Sequence, residues 1–233
     1  MVYAMADLHG YSLEKVLAFL EKIGFTETDQ LYVLGDVIDR GEDGIRILQW
    51  IMKQKNVQML LGNHEDMMCK CAFLFEGDTA LALENMKGAN RRSFDHWVEN
   101  GGLPTLQAMT ALREKETEKI FEFLHSLPLY LQVQVQERTF ILVHGGLGNF
   151  DPQKPLEDYT LQELVWTRPT KIQRYYTDKM TVLGHTPTLY YSDQLKGRAF
   201  ATDTWIDIDV GAAIGIAPMI LRLDDLQEFY MDA

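Results

Sequence analysis

Apolar runs that each stop at a polar, metal-ligand type of residue set the rhythm of this chain. Residues 2–6 form the first run, which ends at Asp7-Leu8-His9-Gly10. Alternate residues of an extended segment share a side, so Asp7 and His9 can address one point while Leu8 turns away. Ser12 is placed to cap a helix over 13–23, with Val16, Leu17, Leu20 and Ile23 as its apolar face and Gly24 as its stop. A strand over 31–34 leads into Gly35-Asp36-Val37-Ile38-Asp39-Arg40-Gly41. A second helix carries Ile45, Leu48, Ile51 and Met52, and a strand over 57–61 ends at Gly62-Asn63-His64-Glu65. This βαβαβ alternation predicts parallel neighbours, right-handed crossovers and a site at the carboxyl edge of the sheet.

The strand signal fades between about 66 and 127, where the periodicity predicts helices over 66–75, 79–86, 91–99 and 116–124, with Gly101-Gly102-Leu103-Pro104 as a break. We read this block as a helical insertion within a single domain spanning 1–233. Strands return over 130–136 and 139–143, joined by a tight connection at Gln136-Glu137-Arg138, and the second ends at His144-Gly145-Gly146. A short helix with Leu161, Leu164 and Val165 leads to Trp166-Thr167-Arg168-Pro169, and a strand over 180–183 ends at Gly184-His185-Thr186-Pro187. Strands over 200–202, 205–210, 219–223 and 228–231 complete an antiparallel-rich second half. The fold class expected is α/β.

Composition narrows the function. A hydrophobic fraction of 46% with 24% charged residues is that of an ordinary globular protein, which excludes disordered and fibrous classes. A net charge of −12 argues against nucleic acid and anionic membranes as partners. It leaves room for a small phosphorylated substrate, because bound cations can dominate the potential of a pocket. No apolar run is long enough for a membrane span, and residues 1–6 lead straight to Asp7 without the pattern of a secretory leader, so a cytoplasmic location is expected. Cys69 and Cys71 lack the spacing of a zinc site or a disulfide framework and read as reduced thiols.

Five strand-like runs therefore end in the same grammar, supplying Asp7 with His9, then Asp36, Asn63, His144 and His185. Each alone is an ordinary turn residue. Together, at one sheet edge, carboxylate, amide oxygen and imidazole suit two divalent cations of the Mn²⁺, Fe or Zn²⁺ type, with Mg²⁺ less suited to imidazole. Such a pair acidifies a water and neutralises phosphate charge. Arg40 offers a fork for phosphate oxygens, His64 a proton for the departing oxygen, and Asp39 a carboxylate to keep that histidine cationic. Arg168 is a candidate second fork. His96 and His125 lie outside every motif and read as packing or solvent residues.

These motifs, spread from Asp7 to His185, resemble those of the calcineurin-like metallophosphoesterase superfamily, and within it the phosphoprotein phosphatase branch with its short bacterial and phage Ser/Thr phosphatases. The resemblance implies a β-sandwich of two mixed sheets flanked by helices. It implies one metal held by Asp7, His9 and Asp36 and a second by Asp36, Asn63, His144 and His185. It also implies His64 as general acid, Asp39 as its partner, and Arg40 and Arg168 as phosphate-binding groups. Many superfamily members carry Gly-His-x-His as the last motif; here Pro187 takes the place of the second histidine, which favours the phosphoprotein phosphatase branch.

The substrate expected is a phosphoserine or phosphothreonine protein, or a small phosphate ester. The alternative is a hydrolase of diadenosine tetraphosphate, a group that shares this branch, with Trp97, Tyr175 or Tyr176 lining an adenine pocket. A third reading is a non-catalytic scaffold. Arg91 and Arg92 are candidate substrate contacts, although an Arg pair on a helix is more often a solvated face, and the oligomeric state is left open.

Overall fold

In the first strand, β1 (Val2–Met5), side chains alternate between two cores: Tyr3 and Met5 pack under helices, while Ala4 and Ala6 pack against a second sheet. The computed structural model describes residues 1–77 and 79–231. Helix α1 (Leu13–Lys22) is capped by Ser12, whose hydroxyl accepts the Lys15 N–H at 3.3 Å. Its buried stripe is Leu13, Val16, Phe19 and Leu20; Leu17, expected on the apolar face, lies at the rim and is exposed. Strand β2 (Gln30–Val33), helix α2 (Gly44–Ile51) and strand β3 (Val57–Met59) follow, and β1, β2 and β3 pair in parallel as predicted.

The helical block comprises α3 (Asn63–Lys70), α4 (Thr79–Asn85), α5 (Gly88–Glu99), α6 (Leu103–Thr110) and α7 (Glu114–Ser126). Two expectations change here. Helix α3 starts at Asn63 and not at residue 66, because the Glu65 carboxylate accepts the N–H of Gly62 at 3.1 Å and so closes the first turn. The expected break at Leu103-Pro104 is instead the first turn of α6, where proline's missing N–H costs nothing. Trp97, Met109, Ile120 and Leu124 from this block bury against the same core as Val16 and Leu48.

The second sheet is built from β4 (Tyr130–Val135) and β5 (Arg138–Val143), then, after α8 (Leu161–Val165), from β6 (Met180–Leu183), β7 (Phe200–Ala201) and β8 (Trp205–Asp207), in the order β4-β5-β6-β8-β7. Strands β9 (Met219–Arg222) and β10 (Gln227–Tyr230) leave it and extend the first sheet, whose order is β10-β9-β1-β2-β3. The second half is thus not an antiparallel-rich unit of its own: β5-β6 and β6-β8 are parallel, and β9 covers the edge of β1 with Ala4 opposite Leu221. Both sheets are mixed. Phe140, Leu142, Val182 and Ile206 meet Ala4, Ala6 and Leu221 in the sandwich core, while Ile141, Val143 and Trp205 face the opposite way beneath Leu164, Tyr175 and Tyr191. Among the described residues no helix is long and apolar enough to cross a membrane.

Candidate metal centre

The loops leaving β1 and β2 are zipped together beyond the sheet: the N–H groups of Asp7, His9 and Gly10 donate to the carbonyls of Gly35, Asp36 and Val37 at 3.1, 2.9 and 2.8 Å. Asp7, His9, Asp36, Asp39, Arg40 and His185 all have φ between 44° and 70°, six of the nine non-glycine residues with positive φ among those described. Each such backbone costs about 1–3 kcal/mol, so the strain is concentrated in this cluster and is held there by the hydrogen bonds around it. Across the sandwich, the His185 N–H donates to both Asp7 oxygens at 3.0 and 2.9 Å, and His144 Nδ1–H donates to the Leu34 carbonyl at 2.7 Å.

Asp36 lies at the centre. Its Oδ1 is 3.4 Å from His144 Nε2, and its Oδ2 is 3.8 Å from both His9 Nε2 and His64 Nε2. Asn63 Oδ1 stands 3.0 Å from His144 Nε2. Two groups of donor atoms fall within 4.8 Å of one another, Asp36 with His144 and His185, and Asp36 with His9 and His64. Asp7 belongs to neither group; its buried carboxylate is taken up by the His185 amide.

The tautomers follow from the backbone. A carbonyl only accepts, so His9 Nδ1, 3.3 Å from the Ile38 oxygen, and His144 Nδ1 carry their protons, leaving both Nε2 lone pairs directed at Asp36. Burial pushes His9 down to about 3 and His185 down to about 2, and lowers His144 as well, so these imidazoles are neutral, with lone pairs a cation could take. His185 Nε2 is buried with no hydrogen-bond partner. Burial, with the carboxylates of Asp209 and Asp36 beside it, pushes Asp7 well above the usual carboxylate range. Buried acids crowded together beside neutral imidazoles, one with an unpartnered nitrogen, form a donor set that fits divalent cations.

Beside this cluster His64 Nδ1 donates to Asp39 Oδ2 at 2.6 Å. Burial opposes charge on His64, but Asp36 and the Asp39 hydrogen bond outweigh it and raise the imidazole above its ordinary value. Arg40 Nη2 is 3.4 Å from His64 Nε2. Arg168 Nη1 donates to the His185 carbonyl at 2.5 Å, and both guanidiniums line a cavity of about 110 Å³ with Trp166 and Tyr190 on its wall. Every predicted site residue therefore meets at one place or lines it, Asp7 joining through the His185 amide.

Three residues escaped sequence reasoning. The Glu65 carboxylate accepts N–H groups of Asp36 at 2.8 Å and Val37 at 3.0 Å as well as that of Gly62; its position two residues into the helix after Asn63 was the available signal. Asp209, buried on the cavity wall, and Asp207 alternate with Ile206 and Ile208, so acids on one face of an apolar strand were legible as buried. One expectation is corrected. Trp97, Tyr175 and Tyr176 are buried, the first against Asp39 and the others in the outer core of the second sheet, so none lines an adenine pocket. Arg91 pairs with Asp95 on its own exposed helix face.

A family model described as calcineurin-like phosphoesterase matches residues 1–210. A symmetrical bis(5'-nucleosyl)-tetraphosphatase of Neisseria meningitidis is 29% identical over 147 residues, covering 62% of this chain and 43% of that protein, so the match spans less than half of the relative's length. Serine/threonine-protein phosphatase 1 of Salmonella typhimurium is 24% identical over 176 residues, 74% of this chain and 71% of that one. A solved structure described as a candidate diadenosine tetraphosphatase shares the fold at TM-score 0.63 and 16% identity, over 98% of this chain and 91% of that one.

Proposed function

The chain belongs to the calcineurin-like phosphoesterase family, and from that premise we propose that it hydrolyses phosphomonoesters with two divalent cations, Mn²⁺ first among them. The observation that carries the reading is Asp36, a buried carboxylate shared by two groups of imidazole donors. Asp7, His9 and Asp36 would hold one cation, and Asp36, Asn63, His144 and His185 the other. When bound, the cations would acidify a water and neutralise charge on the phosphate. Arg40 and Arg168 would grip its oxygens. His64, cationic and steered by Asp39, would give its proton to the departing oxygen as the P–O bond breaks.

A cavity of about 110 Å³ takes the phosphate group and leaves the alcohol outside, which suits a phosphoserine or phosphothreonine side chain presented on a protein. A second reading, a dinucleoside polyphosphate substrate, is favoured by the similarity to the Neisseria protein. It would place a base on Trp166 and the exposed Tyr190, or in the adjoining hollow of about 250 Å³ between Trp166 and His96. Turnover of a phosphoserine peptide and of diadenosine tetraphosphate, compared in one assay with Mn²⁺, separates the two: faster release of phosphate from the peptide is expected. The opposite ranking would move the assignment to the dinucleotide. No turnover of any phosphate ester with Mn²⁺, Fe²⁺ or Zn²⁺ would leave a scaffold.

A second test addresses Asp7. A Cβ on Gly184 would lie 2.0 Å from Asp7 Oδ2, so Gly184→Ala must displace that carboxylate. Calorimetric titration with Mn²⁺ is expected to show about 10–100-fold weaker binding at one of the two sites. Unchanged affinity at both would remove Asp7 from the ligand set.

A further inference from the structure

The junction of α5 and α6 reaches the carboxyl edge of the first sheet, and its contacts there fall on two consecutive residues, Asp39 and Arg40. Trp97 Nε1–H donates to Asp39 Oδ2 at 2.9 Å, the same oxygen that accepts the hydrogen bond of His64 Nδ1–H. Thr105 Oγ1 accepts the Asp39 N–H at 2.9 Å, and the Gly101 carbonyl accepts the Arg40 N–H at 2.9 Å. The other carboxylate oxygen, Asp39 Oδ1, is buried and has no hydrogen-bond partner. Trp97 itself has no exposed surface, and a Cβ on Gly102 would fall 2.6 Å from its Nε1, so backbone is packed against the indole on that side.

We propose that Trp97 is a positioning residue for proton delivery: its indole N–H fixes the rotation of the Asp39 carboxylate, and through it the aim of His64. The proposal rests on the reading of His64 as the general acid. Two donors converging on one oxygen leave the carboxylate a single favourable orientation. Without the indole, Asp39 can turn its unpartnered oxygen toward His64 instead, and the imidazole loses its fixed tilt toward the phosphate. The helical insertion then has a function in the reaction, since it sets how well a poor leaving group is protonated.

Leaving-group dependence reads this directly. The 4-nitrophenolate ion departs without help, whereas phenolate benefits from a proton, so a misaimed acid penalises phenyl phosphate and spares 4-nitrophenyl phosphate. With the Mn²⁺-loaded protein, Trp97→Phe is expected to lower kcat on phenyl phosphate by about tenfold and on 4-nitrophenyl phosphate by less than about threefold. Metal content should be unchanged. Gly102→Ala, whose Cβ would fall 2.6 Å from the indole Nε1 and so displace it, should show the same bias more weakly, and it decides the matter alone if Trp97→Phe does not fold. Equal losses on both esters, or no loss on either, would overturn the proposal while leaving the hydrolase reading in place. Wild-type protein inactive on both would overturn the two together.

Discussion

Asp36→Asn is expected to lower turnover of a phosphate ester by roughly three orders of magnitude and to leave fewer than two cations per chain. The substitution keeps the shape of the side chain. What it removes is the negative charge that faces His9, His64 and His144 at 3.4–3.8 Å, and what it adds is an N–H₂ group aimed at imidazole nitrogens. One oxygen also accepts the His64 backbone N–H at 3.0 Å, so the start of α3 is tied to the same carboxylate. Metal analysis and steady-state kinetics on one preparation check the prediction. Two cations per chain with normal turnover would mean that the centre lies elsewhere.

The second large effect falls on stability. Glu65→Ala is expected to destabilise the protein by about 3–5 kcal/mol, because the N–H groups of Asp36, Val37 and Gly62 are left in the interior without an acceptor. Glu65→Gln keeps one acceptor oxygen but presents an amide N–H₂ to those donors, and about 1–3 kcal/mol is expected. Urea denaturation in chelator measures both without a contribution from bound metal. An alanine variant within about 1 kcal/mol of wild type would show that water replaces the carboxylate there.

Much of this centre is local in the chain and therefore legible. An apolar run followed by a ligand type needs only strand periodicity, and Asp7, His9, Asp36, Asn63, His144 and His185 each sit just past such a run. The turn chemistry was harder to read, since the left-handed backbone at Asp7, His9 and Asp36 is imposed by hydrogen bonds to other loops and has no glycine to announce it. Long-range pairings were not legible at all. The Trp97–Asp39 bond joins residues 58 apart, and the same indole looks from sequence like any aromatic available to a ligand. Likewise β9 reads as a good strand, but its alternation does not say which sheet it joins; the pairing of Ala4 with Leu221 settles that only in three dimensions.

The cross-sheet bonds have a mechanical meaning. Asp7 and His185 are 178 residues apart and Leu34 and His144 are 110 apart, yet each pair ties one sheet to the other along the same margin. The sandwich is bound like a book along that spine. Any motion that parts the sheets there must break both ties, and with them it disturbs Asp7, His144 and His185 together.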